Sequence, residues 1–294
     1  FNFLTNLNVH LGQKVSPGNR SAYEKRVKPK NKKETGRDLS TRQQVRNAMR
    51  KDPYYQCWAA LRRNTMEQRQ QAGRHLVLRQ LDTLINKAKR LNADKETLHI
   101  DSEIAVPGYI ADVDNHCMPG SYYTEIAADD VLAGANYEAG LFITTAGSMS
   151  SKGDGGGRAI VNFVREKFSG FQPKRILDLG AGIGVNTLPL ADAFPNAEVI
   201  AVDVGAPMVR WGHARAQAMG YNNVKFLHGD GERLDLQLGT FDWVQTTMFW
   251  HETSSKAIYS MMAKIYGLMA PGGLFLNVEQ PNFTPETPLY DQFT

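Results

Sequence analysis

The sequence predicts an α/β protein: a doubly wound, mostly parallel sheet preceded by an N-terminal helical module. Three observations carry that prediction. Strand and helix patterns alternate after Gly157, a glycine-rich turn follows the first of those strands, and a basic, helix-patterned front precedes them. At 294 residues with 42% hydrophobic content, the chain can bury a substantial core. Its Lys+Arg and Asp+Glu totals, 34 and 30, hide an asymmetry: residues 1–100 hold 22 basic and 8 acidic groups, so the remainder is acidic.

The front is read first. Glu24 to Arg37, "EKRVKPKNKKETGR", is charged, proline-interrupted and without an apolar period, which predicts a solvated arm. A helix is expected after "DLSTRQQV", capped by Ser40 or Thr41, and a second from Tyr54 to about Gln71 after the Asp52-Pro53 break. Val77, Leu81, Leu84, Ile85, Ala88 and Leu91 recur at helical spacing, with Arg79, Lys87, Lys89 and Arg90 opposite them, predicting a third. Residues 1–95 are therefore assigned to a basic arm and helical module. Residues 96–155 carry turn signals such as "MPGSYY" and "SKGDGGGR" in quick succession and read as a connection or lid.

Residues 156–294 are assigned to the α/β domain. "RAIVNFVREKF" reads as a helix, followed by strand 175–179, helix 185–194, strand 199–204 and helix 207–219. Strands at 224–227 and 241–247, a helix at 256–268 and a strand at 274–278 complete the series. Such alternation requires crossover connections and a parallel sheet covered on both faces.

In sheets of this kind a ligand binds beyond the carboxyl ends of the strands, at the turn where strand order reverses. Gly180, Gly182 and Gly184 occupy that turn in "RILDLGAGIGVNTLPLA", and Asp203 ends the next strand, placed to accept bonds from two ribose hydroxyls. A dinucleotide fingerprint spaces its glycines G-x-G-x-x-G, but here Val185 stands where the third is needed. Asp178, two residues before the first glycine, suits an ammonium better than a pyrophosphate.

"ILDLGAGIGVNTLPLA" resembles the first motif of class I S-adenosylmethionine-dependent methyltransferases, and "VIAVDV", "VKFLHGDGERL", "FDWVQTTMFWHE" and "LMAPGGLFLNVEQ" resemble the following motifs in order. The resemblance covers about residues 156–280 and implies a Rossmann-like fold with S-adenosyl-L-methionine as cofactor. It implies cofactor contacts from Asp178, Gly180, Ala181, Gly182, Gly184, Asp203, Val204, Met208, Asp230, Gly231 and Thr246. Asp230 would face the adenine amino group. The family sheet usually ends in an antiparallel hairpin, yet only residues 280–294 follow the last strand pattern, and the chain opens on Phe1 rather than Met. We therefore expect either that sequence is missing at the ends, the C-terminal part of the fold included, or that another segment completes the sheet.

Methyl transfer from a sulfonium is an in-line displacement dominated by positioning, and a hydroxyl acceptor gains from a general base. His251 is the catalytic candidate: it follows the fourth strand and resembles the histidine of "LHDW" in small-molecule O-methyltransferases, with Glu252 replacing the aspartate. A capping or buried histidine is the plain alternative. Met248, Phe249 and Trp250 are candidates for the acceptor pocket, and Tyr122, Tyr123 and Tyr137 for a roof over the cofactor or for turn packing. His116 and Cys117 have no second ligand pair at metal spacing, so no metal site is expected.

The expected activity is methyl transfer to an O or N atom of a small-molecule acceptor. An RNA or protein methyltransferase that uses the basic front is one alternative, and a non-catalytic cofactor-binding protein is another. A homodimer through the N-terminal helices is also expected. Cys57 and Cys117 form no disulfide framework, and no apolar run approaches the roughly 20 residues of a membrane span. A cytoplasmic protein without membrane association is the expectation.

Overall fold

A computed structural model describes residues 1–93, 96–114, 116–281 and 283–293. The chain divides into two compact units, Phe1–Arg69 with Gln280–Thr294, and Gln70–Glu279. The helix at 81–91, assigned from sequence to the front, thus belongs with the sheet, and the C-terminal segment belongs with the first helices.

In the first unit, α1 (Asn2–His10), α2 (Pro17–Ala22) and α3 (Lys28–Thr35) are joined by π-helical turns at Leu11–Val15 and Tyr23–Val27. The stretch Glu24–Arg37 is therefore mostly helix rather than irregular chain, and it is exposed at nearly every position but Val27. Tyr23 and Val27 supply the apolar anchors that its charged composition hides, and Gly36, in the left-handed region at φ 71°, ends the run. α4 (Arg42–Met49) is capped by Thr41, whose side chain accepts from the Gln44 N–H. Val45 and Met49 of α4 pack with Tyr23, Val27 and Tyr290. Buried Asp52 accepts two bonds from Arg26, at 2.9 and 3.0 Å, and this pairing holds its carboxyl below the usual range. Asp52 also accepts from the Tyr54 N–H, which starts α5 (Pro53–Leu78).

α5 runs beyond its predicted end. The expected third helix breaks at Arg79–Gln80, so Val77 lies on α5 and the rest of the stripe on α6 (Leu81–Leu91). Ile85 and Ala88 of α6 pack on Val131 and Ala214.

The second unit is built on six strands: β1 (Leu98–His99), β2 (Arg175–Leu179), β3 (Glu198–Asp203), β4 (Val224–His228), β5 (Phe241–Thr247) and β6 (Met269–Val278). Their order is β1-β4-β3-β2-β5-β6, and every described pairing is parallel. β1, too short to leave a period-2 signal, extends the β4 edge. β2 and β3 are buried on both faces, as their apolar runs require. Alternation sorts their side chains: Ile176, Val199 and Ala201 enter one core with Phe226 and Trp243, while Leu177, Leu179, Ile200 and Val202 enter the other.

Helices fill both faces: α7 (Gly108–Ala111), α8 (Leu132–Thr144), α9 (Gly155–Lys167), α10 (Thr187–Ala193), α11 (Ala206–Ala218) and α12 (Ser255–Leu268). α9 and α10 contribute Val164 and Leu190 to the first core, and α12 contributes Ile265 and Leu268 to the second. α8 sits in the stretch where no long element was expected. It is buried around most of its girth and so has no polar stripe to betray it. At Gly134, an added Cβ would lie 2.5 Å from the Trp211 side chain, and Trp211 Nε1 donates to Glu138 at 2.7 Å.

Candidate active site

The order of the sheet reverses between β2 and β5, and a cavity of about 340 Å3 opens there. That is within the range of about 300–1,000 Å3 usual for cofactor and small-molecule sites. The turn after β2 forms one wall. Gly180 and Gly182 adopt φ 70° and 56°, a region costly to any residue with a Cβ, and the Gly180 and Ala181 N–H groups donate to Val202 O. The Phe249 ring lies over Gly180, within 2.2 Å of where a Cβ would sit, so side-chain atoms cover that part of the bend. Gly182 is more open, with only the Met208 methyl nearby, at 3.6 Å.

Asp203 ends β3 on the cavity wall. Its Oδ2 accepts from the Gly182 N–H at 2.8 Å and its Oδ1 from the Gly205 N–H at 2.9 Å, which aims the carboxylate along the glycine turn. Each oxygen keeps further acceptor capacity, and no ion pair occupies it among the described residues. Burial raises its pKa, opposed by these two N–H bonds.

Of the predicted cofactor residues, Gly180, Ala181, Gly182, Asp203, Val204, Met208, Asp230 and Gly231 line this cavity together. Asp178, Gly184 and Thr246 do not. Asp178 is buried beneath the turn, where Thr187 Oγ1 donates to it at 2.6 Å; burial pushes its carboxyl up to about 7. At Gly184, Phe226 of β4 comes within 2.9 Å of where a Cβ would sit, so this glycine makes room for that ring. Thr246 points into the sheet and bonds Asn277 at 3.0 Å, while its neighbour Thr247 lines the cavity, as alternation along a strand dictates.

The remaining wall comes from the segment that sequence periodicity left blank. Tyr109, Tyr122, Tyr137, Leu141 and Met149 all line the cavity. Met248 lines it too, at the end of β5 and in the left-handed region at φ 52°.

Beside Tyr122 and Glu252 stands a polar cluster. His251 lies on a 3-10 turn, Trp250–Glu252, and its Nδ1 is 2.8 Å from Glu279 Oε1. Glu279 Oε2 also accepts from the Trp250 N–H at 2.9 Å, which fixes the turn to the end of β6. Glu252 Oε1 accepts from Tyr122 Oη at 2.9 Å and lies 2.6 Å from His116 Nε2. The fold thus brings His116, which sequence spacing did not connect to them, beside the adjacent pair His251 and Glu252.

Residues 176–273 match the family model described as a methyltransferase domain. The resemblance to methyltransferase domains thus covers about a third of the chain. Two curated relatives illustrate its range. Demethylmenaquinone methyltransferase of Thermus thermophilus is 34% identical over 124 residues, 42% of this chain and 53% of that protein. Ribosomal RNA small subunit methyltransferase G of Streptococcus pyogenes is 36% identical over 69 residues, 24% of this chain and 29% of that protein. The matches thus span about half, or less, of the relatives' length. Among solved structures, YcgJ of Bacillus subtilis is similar at 27% identity and TM-score 0.39, covering 45% of this chain and 54% of that one. Among the described residues, no helix is long and apolar enough to cross a membrane.

Proposed function

We propose that this chain binds S-adenosylmethionine in the cavity at the β2–β5 reversal and transfers its methyl group to a small-molecule acceptor. One observation carries the reading: Asp203 stands between the glycine turn and open cavity, with its acceptor oxygens oriented by backbone N–H groups. In this reading Asp203 holds the ribose hydroxyls, the backbone of Gly180, Ala181 and Gly182 borders the amino-acid end, and Asp230 meets the adenine. Val204, Met208 and Gly231 pack along the adenosine. Thr246 and Gly184 support the wall from behind. Asp178 braces the turn through Thr187 rather than touching the cofactor.

When bound, the cofactor supplies an electrophilic methyl carbon. The protein positions the acceptor in line with it and excludes water. Tyr122, Tyr137 and Met149 supply the apolar and aromatic cover for that exclusion, and His251 with Glu252 forms the polar edge where an acceptor hydroxyl or amine would be activated.

Calorimetry tests the reading. S-adenosylhomocysteine should bind, NAD should not, and Asp203→Ala should weaken the former by roughly 10–100-fold, the value of about 1.5–3 kcal/mol for bonds to a charged group. Equal binding by Asp203→Ala would refute it. The basic front favours a second reading, an RNA acceptor. It requires RNA affinity that falls steeply with salt.

A further inference from the structure

We propose that His116, His251 and Glu252 form a binding site for a divalent transition metal at the edge of the cofactor cavity, where the metal would hold the oxygen of the methyl acceptor. Nothing in sequence spacing joins His116 to the adjacent pair His251 and Glu252: His116 follows α7 in the long connection, whereas the pair follows β5. In the fold, one donor atom from each lies within 4.8 Å of the other two. Glu252 Oε1 is 2.6 Å from His116 Nε2 and 3.7 Å from His251 Nε2. Donors bound tetrahedrally at about 2.0–2.1 Å lie about 3.4 Å apart, so an ion would replace the direct His116–Glu252 contact, parting those two atoms by just under about 1 Å, and would draw His251 Nε2 slightly closer.

The surroundings are those of a ligand set. His251 Nδ1 is engaged by Glu279 at 2.8 Å, which turns Nε2 toward Glu252. A carboxylate behind an imidazole in this way sets tautomer and ring orientation in metal centres. Tyr122 Oη, at 2.9 Å from Glu252 Oε1, holds the third donor. His116 is placed by Asp114, whose Oδ1 accepts from its N–H at 3.2 Å, and by Gln70, which donates to its carbonyl at 3.2 Å. Two imidazoles and one carboxylate suit zinc, iron or cobalt rather than magnesium or calcium, and three protein ligands leave a position open.

Glu252 and Tyr122 also line the cavity, so that open position is adjacent to the space assigned to cofactor and acceptor. The proposal deepens the methyl-transfer reading and rests on it for the acceptor. His251 then acts as a ligand, not as a free base. An acceptor hydroxyl that coordinates the metal releases its proton to solvent. Its oxygen lone pair forms the new C–O bond while the methyl C–S bond breaks and its electron pair stays on sulfur, leaving S-adenosylhomocysteine.

The test uses the full chain without an affinity tag, stripped with a chelator and titrated with Zn2+, Co2+ and Mg2+. One equivalent of Zn2+ and of Co2+ should bind, Co2+ should acquire the visible absorption of a low-coordinate imidazole site, and Mg2+ should not compete. His116→Ala and His251→Ala should each weaken Zn2+ binding by at least tenfold, and Glu279→Gln by about tenfold. S-adenosylhomocysteine affinity should stay unchanged in all three variants. Absence of stoichiometric binding, or unchanged Zn2+ affinity in folded His251→Ala, would overturn the proposal. If S-adenosylhomocysteine binds and metal does not, the metal site fails and the cofactor reading survives; the reverse result sinks the cofactor reading alone.

Discussion

Gly180→Ala puts two separable demands on the glycine turn. At φ 70° an L-residue pays roughly 1–2 kcal/mol of left-handed strain. The new Cβ would also lie 2.2 Å from the Phe249 ring, an overpacking cost of roughly 1–3 kcal/mol. The reduced freedom of the unfolded chain returns about 0.4–1 kcal/mol. The net loss is about 2–4 kcal/mol, which for a unit of this size lowers the melting temperature by roughly 5–15 °C. Thermal unfolding followed by circular dichroism reads it. Gly220→Ala is the control, because Gly220 has φ 79° but nothing within 4 Å of an added Cβ. It should cost about 1 kcal/mol, the strain alone. In a Phe249→Ala background, the cost at position 180 should fall to the same value, leaving a coupling of about 1–3 kcal/mol. Equal costs at 180 with and without the ring would refute the placement of Phe249 over the turn.

Asp178 makes stability depend on pH. Its folded carboxyl sits at about 7 against 3.8 for the free side chain, so below pH 3.8 both states are protonated and no penalty exists. As pH rises from 3.8 through 7 the unfolded chain sheds this proton first, and up to about 4 kcal/mol of stability is lost. Asp178→Asn keeps an acceptor for Thr187 and should remove that slope in urea titrations run from pH 4 to 7.5; a slope identical to wild type would disprove the assignment. Ser254, whose hydroxyl accepts from the Ala257 N–H at 3.1 Å, caps α12. Ser254→Ala should therefore cost about 1 kcal/mol in chemical denaturation, and an unaltered midpoint would remove it as a cap.

Local chemistry is what a sequence writes most plainly. The apolar runs of β2 and β3, the period of α6, the Thr41 cap and the glycines after Leu179 each depend on residues within a few positions of one another, and all were legible. So was Asp203, because a strand of known start places its last residue at the sheet's carboxyl edge. The shift from Thr246 to Thr247 had the same local cause but needed the strand's phase, which an apolar run buried on both faces does not reveal.

Other features had no local signature. α8 is buried around most of its girth, so it lost the amphipathic stripe by which helices are read, and the cavity-lining Tyr109 and Met149 in the same connection went unassigned. The helical run through Thr35 went unread because its apolar anchors, Tyr23 and Val27, are too sparse to mark a period. Residues 116, 251, 252 and 279 met only when parallel strands brought the ends of β5 and β6 beside the loop before α8. The sequence by itself determined the α/β class, the glycine turn after β2 and the carboxylate at the end of β3, because short-range periodicity and backbone sterics encode them. Only the tertiary structure decided which distant histidines and carboxylates share one edge of the cavity, because that depends on topology and on burial, which no local pattern carries.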